Sequence, residues 1–521
     1  MSIPVSKRQF LKWTSLALAA SAAPLAFGIG RVYLQADPFT LGVASGAPSL
    51  HGVLLWTRLA GQDLDAHSAI PVQYEVWEDD QPRQIVATGE VVALRDLGFA
   101  VHAHVQGLQP GRWYQYRFRV ESAISPVGRT RTLPAMGTLP PRLRLAYASC
   151  QRWEDGHFAA YRAMLADQLD AVVFLGDYIY EYRSRAADHA VRTHTLRHAR
   201  TLQDFRDRYA LYRSDTLLQQ AHAACPWFVT WDDHEVENNY AGLLSTEGRQ
   251  DSLPALRMAA YQAFYENMPI TREALVNGIQ GLLANQTLRL HIHADFGQLA
   301  RLTLLDNRQY RDAPLCGAKT SDKLRAVCLP DADARTYRSM LGRDQEQWLA
   351  QTLGGSTAVW NVLAQQTRLT PGNYQAGLGQ RFGIDTWDGY PQARQRLIDA
   401  LVQSEARNPL VLGGDIHQNW VARLHQDPYD ANSPVVAAEF CGTSITSVSR
   451  AAAQSTDRAM RNNPHCVYAN PQHRGYGLLD LKPRRAEVTL RAVNDVTDPK
   501  SVVFDLKRFE VQAGSAQILQ L

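Results

Sequence analysis

The sequence predicts an α/β protein with a smaller all-β unit ahead of its main fold. Two observations carry this. Short runs, apolar at successive positions, recur through the later part of the 521 residues and alternate with stretches of helix-like composition. Such runs mark strands covered on both faces, as in parallel sheets flanked by helices. Ahead of them lie five shorter pieces in which apolar and polar positions alternate between Gly, Pro and Asp, the pattern of half-buried antiparallel strands.

Taken in order, "SKRQFLKW" precedes the alanine-rich "TSLALAASAAPLAFG", which is too short and too weakly apolar to span a bilayer. Residues 1–31 therefore read as an export signal, with no transmembrane anchor left after cleavage and a periplasmic or secreted location. The pattern resembles a twin-arginine signal, S-R-R-x-F-L-K, with Lys7 where the first arginine is usual and Arg8 as the second. That resemblance implies the twin-arginine export machinery as a partner and folding before export; an ordinary secretory signal is the alternative.

Residues 38–133 contain "GVLLWTRLA", "VQYEVWEDD", "IVATGEVVA", "AVHAHVQGL" and "WYQYRFRVE", expected to form a small antiparallel β-sandwich. The proline-rich "RTLPAMGTLPP" reads as a linker. A larger α/β domain is expected over 142–500, with strands at "LRLAYASC", "DAVVFLGD", "PWFVTWDD", "LARLTLLD", "TAVWNVLAQQ", "PLVLGGD" and "VVAAEFCGTS". Helices are expected at "FAAYRAMLADQ" and "RMAAYQAFYEN", and 501–521 is set apart as a C-terminal extension.

Charge is balanced, 54 basic against 51 acidic residues, with no basic stripe to mark a nucleic-acid partner. Among the six cysteines of an exported chain, Cys316 and Cys328 are near enough in sequence to close a short loop, while Cys225, Cys441 and Cys466 are left undecided. "RAADHAVRTHTLRHAR" has the look of a metal tract, but its histidines lack helical spacing on one face, which favours a solvated helix or an active-site lid.

Chemistry gathers where the strands end. Cys150 follows "LRLAYAS"; Asp177 and Tyr180 lie in "GDYIYE"; Asp232, Asp233 and His234 in "WDDHE"; Asp306 in "LLDNRQY"; Asp415 and His417 in "GGDIH". A carboxylate at the end of an apolar strand is costly to desolvate unless a cation compensates, and a bound metal does so most directly. Alone, Cys150 would read as a small buried hydrophobe and Tyr180 as packing; together the strand ends read as ligands for a pair of metals.

In this order "GDYIY", "DDHE" and "GDIH" resemble the motifs G-D-x-x-[DY], G-N-H-E and G-H-x-H of the calcineurin-type metallophosphoesterases. Cys150 stands in place of the opening D-x-H, Asp233 in place of the asparagine, and Asp415 in place of the first histidine of G-H-x-H. Those substitutions resemble the PhoD-like alkaline phosphatases and phosphodiesterases, as do "TWDDHEVENNY", "LLDNRQYRD", "WDGYP", "EFCGTSITS" and "HRGY". The resemblance implies a layered αββα catalytic domain behind a fibronectin- or Ig-like sandwich.

It also implies an asymmetric metal pair: Fe(III) held by Cys150, Asp177, Tyr180 and His417, with Asp177 bridging to Ca2+ or another divalent ion held by Asp233, Asn239 and Asp415. Asn238 is the alternative to Asn239. Thiolate and phenolate suit a ferric ion; carboxylate and amide oxygens suit a harder divalent ion. The implied reaction is hydrolysis of phosphodiesters, and of monoesters, by a metal-activated hydroxide, for phosphate acquisition. His234 would protonate the leaving oxygen, and Arg308 is a candidate clamp on a phosphate oxygen.

Asp306 is left off the ligand set, as an aspartate able to cap a helix or pair with Arg308. "GTSIT" reads first as a turn and second as a phosphate contact. A phospholipase D removing lipid headgroups is a competing enzyme, and a surface adhesion module a competitor from another class. No G-x-S-x-G elbow or P-loop occurs. Loops Tyr182 to Arg200 and Asp385 to Arg394 are expected to shape specificity.

Overall fold

The computed structural model describes residues 34–521 apart from 82–83, 184–189, 272–273, 275–288, 315–323, 327–336, 376–380 and 450–452. The export signal and the cysteine pair Cys316 and Cys328 lie outside the described residues.

Two large sheets stack face to face. The first has ten strands in the order Ile518–Gln520, Val503–Gln512, Arg485–Val493, Arg474–Lys482, Leu143–Ala148, Ala171–Phe174, Trp227–Val229, Val43–Gly46, Gly52–Arg58 and Ala100–Gln106. Leu143–Ala148, Ala171–Phe174 and Trp227–Val229 run parallel. The second has seven strands, of which Ala300–Leu304, Trp360–Ala364, Pro409–Gly413 and Val435–Cys441 are neighbours and parallel.

Alternation explains why these strands read as unbroken apolar runs. Ala171 and Val173 enter the core between the sheets, while Val172 and Phe174 enter the core under the helices. Leu410 and Leu412 likewise face the other sheet, and Val411 faces outward to a third core. Helices Ala160–Ala166, Leu202–Arg213, Thr216–Ala224 and Leu253–Asn267 cover the first sheet; Arg343–Gly354 and Pro391–Gln403 cover the second. This is the expected αββα layering.

The N-terminal strands do form a sandwich. A five-stranded sheet built on Ile85–Leu94, Ala69–Glu78 and Trp113–Val120 packs over the first-sheet strands Gly52–Arg58 and Ala100–Gln106, around Val53, Leu55, Ile70, Val72 and Phe118. It is not freestanding, however. One of its layers continues the ten-stranded sheet through the parallel partner pair Gly46 and Trp227. A Cβ on Gly46 would lie 2.3 Å from the Pro269 carbonyl oxygen, so glycine permits the close approach. Trp56 Nε1 donates to the Glu266 carbonyl (3.1 Å), and the Arg213 guanidinium lies 4.2 Å over the Trp56 ring.

The C-terminal extension beyond 500 continues the first sheet: Val503–Gln512 and Ile518–Gln520 add two antiparallel strands to it. Of the histidine-rich stretch, residues 190–200 form no helix. The following helix begins at Leu202, where Thr201 and Asp204 make a reciprocal capping box. No helix among the described residues is long and apolar enough to cross a membrane.

Phe509, fully buried between the sheets, tests the placement of these late strands. Phe509→Ala should cost about 3–5 kcal/mol in urea unfolding. Val502→Ala, at a position 69% exposed, should stay within about 0.5 kcal/mol.

Candidate metal centre

Cys150, Asp177, Asp233 and Asp415 each lie just past the carboxyl end of a parallel strand, where the sheet stops satisfying the chain and side chains converge. The loops there are tightly bent. Cys150, Asp177, Asn239, Asp415 and His417 all have φ between 53° and 63°. For residues other than glycine this left-handed backbone costs about 1–2 kcal/mol each and persists only where surrounding contacts fix it. The glycine before Asp415 is needed for close approach: a Cβ on Gly414 would lie 2.4 Å from Ser149 Oγ.

One ligand atom each from Cys150, Asp177 and His417 lies within 4.8 Å of the others. Tyr180 joins them, its hydroxyl donating to Asp177 Oδ2 at 2.9 Å and lying 3.3 Å from His417 Nε2. His417 Nδ1 is 2.9 Å from the Val448 carbonyl oxygen, so Nδ1 carries the proton and Nε2 keeps its lone pair for the cluster. Burial pulls its pKa down to about 4, which keeps the ring neutral. Burial, then the neighbouring carboxylates of Asp177 and Asp415, pushes the Cys150 thiol well up. Burial, then Asp177 and Cys150, does the same to the Tyr180 phenol.

A second group comprises Asp177, Asp233 and His234, also within 4.8 Å. Asp177 is common to both. His234 Nδ1 lies 2.8 Å from Glu181 Oε2, and its ring packs against Tyr180 with centroids 4.2 Å apart. Burial opposes a charge on His234, but Asp233, Asp177 and Glu181 together hold its pKa well above the usual histidine range. The Asn239 backbone N–H donates to Asp233 Oδ2 at 2.6 Å, whereas that of Asn238 turns to Glu181. Asp415 lies on the same side, its Oδ2 accepting from Thr367 Oγ1 at 2.7 Å.

Arg308 is placed differently from a phosphate clamp. Its Nε donates to Asp232, and its Nη1 and Nη2 grip both oxygens of Asp385 at 3.0 and 2.9 Å. Nη2 also lies 3.8 Å from Asp233 and 3.9 Å from Asp415. A guanidinium so engaged among four carboxylates organises them and offsets their mutual repulsion, and bidentate pairing explains the choice of arginine. Asp306 is structural: it accepts from Trp231 Nε1 and from the backbone N–H groups of Arg308 and Gln309. "GTSIT" is likewise a hydrogen-bonded turn, Thr443 and Thr446 donating to backbone carbonyls.

Sequence reasoning gave no role to Glu235, Glu181 or Ser447. Glu235, fully buried, accepts from the backbone N–H groups of Asp177, Tyr178 and Asp232, and so pins two ligand loops together. Burial raises its pKa to about 7. Its position beside His234 in "DDHE" was the available signal. Glu181 also lies near His198 and Glu247, but its carboxylate is already committed to His234 and the Asn238 N–H.

Do these residues fit metals? Asp232 Oδ2 and Asp233 Oδ1 are buried with no hydrogen-bond donor among the described residues. Three acidic groups, Cys150, Asp177 and Tyr180, are buried against one another, with burial and the surrounding carboxylates disfavouring their anions. Buried charge of one sign and orphaned acceptors are what a cation relieves, and a soft and phenolic donor set on one side of a shared carboxylate suits two unlike ions. The fit is good.

The layered fold and the donors at its strand ends define a metallophosphoesterase. A family model described as "PhoD-like phosphatase" matches residues 145–490, and one described as "PhoD-like phosphatase, N-terminal domain" matches 24–134. Alkaline phosphatase D of Bacillus subtilis (strain 168) is 42% identical over 487 residues, 91% of this chain and 81% of that protein. A solved structure described as "Structure of PhoD" has a TM-score of 0.87 and 40% identity, covering 94% of this chain and 93% of that one. The chain belongs to the PhoD-like phosphatase family and is a phosphoester hydrolase, which removes the adhesion-module reading.

Glu235 provides a test of how the loops are held. Glu235→Ala should destabilise the fold by about 3 kcal/mol or more, since each buried N–H left unpaired costs about 1–3 kcal/mol. Glu235→Gln, which keeps one acceptor oxygen, should lose less. Urea unfolding and metal content by mass spectrometry check both.

Proposed function

We propose that the protein is an exported phosphodiesterase, also active on monoesters, that releases phosphate outside the cytoplasm with an Fe(III)–Ca2+ pair. The observation that carries this reading is the shared Asp177: it stands between a thiol–phenol–imidazole group and a carboxylate group. Cys150, Asp177, Tyr180 and His417 would hold Fe(III). Asp177, Asp233, Asn239 and Asp415 would hold Ca2+ or another divalent ion. When bound, the pair supplies Lewis-acid activation of water and neutralises charge growing on the phosphoryl oxygens. The periplasmic or secreted location, reached through the twin-arginine machinery, rests on the "SKRQFLKW" leader.

The chain's own part is positioning and proton transfer. Glu181 takes the Nδ1 proton of His234 as a hydrogen bond, fixing the ring so that Nε2–H serves the leaving oxygen. Arg308, with Asp232 and Asp385, keeps the carboxylates of Asp233 and Asp415 at a set spacing. His417 is held neutral by burial and oriented by the Val448 carbonyl.

Protein made in an exporting host should contain iron and calcium and absorb visible light through charge transfer from Tyr180 and Cys150. Tyr180→Phe should shift or abolish that band, and His417→Ala should abolish activity. A colourless, iron-free and fully active preparation contradicts the iron assignment.

His234 has its own signature. His234→Gln should slow an alkyl phosphodiester by about 10²–10⁴-fold. It should slow bis-p-nitrophenyl phosphate much less, because nitrophenolate leaves without a proton. Equal losses on the two substrates would remove His234 from the role of acid.

A further inference from the structure

The turn that follows Val435–Cys441 touches the proposed iron ligands. Ser447 Oγ lies 2.7 Å from the Tyr180 phenolic oxygen and 2.8 Å from the Cys150 carbonyl oxygen, and accepts the Arg152 N–H at 3.1 Å. The Ser447 N–H itself donates to the Cys150 carbonyl (3.1 Å), and the next residue, Val448, offers the carbonyl that orients His417. Arg474 locks the turn from behind, its Nη1 donating to the carbonyls of Ser447 and His417, both at 2.8 Å. One short segment thus contacts the residues of three ligands.

Resting on the iron reading, we infer that Ser447 is a positioning residue that donates a hydrogen bond to the Tyr180 oxygen and so tunes the donor strength of that ligand. The hydroxyl is 1% exposed as a residue and has one proton, with two acceptors in reach. With the phenolic proton present, Tyr180 donates to Asp177 Oδ2 and its oxygen competes weakly for the Ser447 proton. Were a cation held at the Tyr180 oxygen in place of that proton, the oxygen would be the stronger acceptor, and the Ser447 O–H, 2.7 Å away, would serve it rather than the Cys150 carbonyl. The carbonyl loses little, because the Ser447 N–H still serves it. The turn therefore acts through the metal ligands rather than through substrate phosphate.

The test compares purified wild type with Ser447→Ala, Ser447→Thr and Thr446→Ala. Thr446 is the control: its hydroxyl is equally buried one residue away but donates to the Arg152 carbonyl, not to Tyr180. In Ser447→Ala, a phenolic oxygen without its hydrogen bond gives up an electron more easily. The charge-transfer band should move to longer wavelength, and iron retention against a chelator should fall about 10–100-fold. Ser447→Thr should restore the wild-type band, and Thr446→Ala should leave it in place, with circular dichroism confirming that all variants fold. An unmoved band in Ser447→Ala, or the same shift in Thr446→Ala, overturns the role of Ser447 while leaving the iron reading intact. A colourless, iron-free wild type overturns the iron reading and this inference with it.

Discussion

The rest of the structure depends on the burial, against one another, of groups that repel as anions. A thiol, a phenol and several carboxylates occupy a common pocket of low dielectric at the strand ends. Removing such groups from water is unfavourable unless positive charge enters with them. Arg308 supplies one charge and His234, packed against the Tyr180 ring, a second, but neither is hydrogen-bonded to the Cys150 sulfur or the Tyr180 oxygen; a cation there would relieve the remaining imbalance. The strained left-handed backbone at Cys150, Asp177, Asp415 and His417 shows how firmly the fold imposes this arrangement. Glu235 and Arg474 supply the hydrogen bonds that hold the loops in it.

The first sheet delivers Cys150, Asp177 and Asp233, and the second delivers Asp415 and His417, so the centre spans the seam between the sheets. Stacking the sheets around the apolar core between them is therefore what assembles the site. The N-terminal sandwich and the C-terminal strands both extend the first sheet; they widen the platform from which those loops project.

Much of this was legible in the sequence because strands buried on both faces carry a local signal and the candidate ligands sit immediately after them. The runs ending at Cys150, Asp177, Asp233 and Asp415 all proved to be strands of the two central sheets. What was hidden depends on partners distant along the chain. The continuity of the sandwich with the large sheet rests on Gly46 meeting Trp227, a pairing no local pattern encodes. The late strands from Val503 onward have mixed burial, and only their register against Arg485–Val493 gives them a place. Arg308 resembled a substrate clamp in isolation; that its guanidinium faces four carboxylates, one of them Asp385, is a fact of three dimensions. Ser447, one residue beyond the "GTSIT" that read first as a turn, belongs to the same category.

The central claim is that two unlike cations share Asp177. Anomalous diffraction from crystals of protein isolated from an exporting host, collected on both sides of the iron edge, tests it most directly. The account predicts an iron peak in contact with Cys150, Asp177, Tyr180 and His417, and a second, iron-free peak across Asp177 beside Asp233 and Asp415. A single ion, or two ions of the same element, would contradict it.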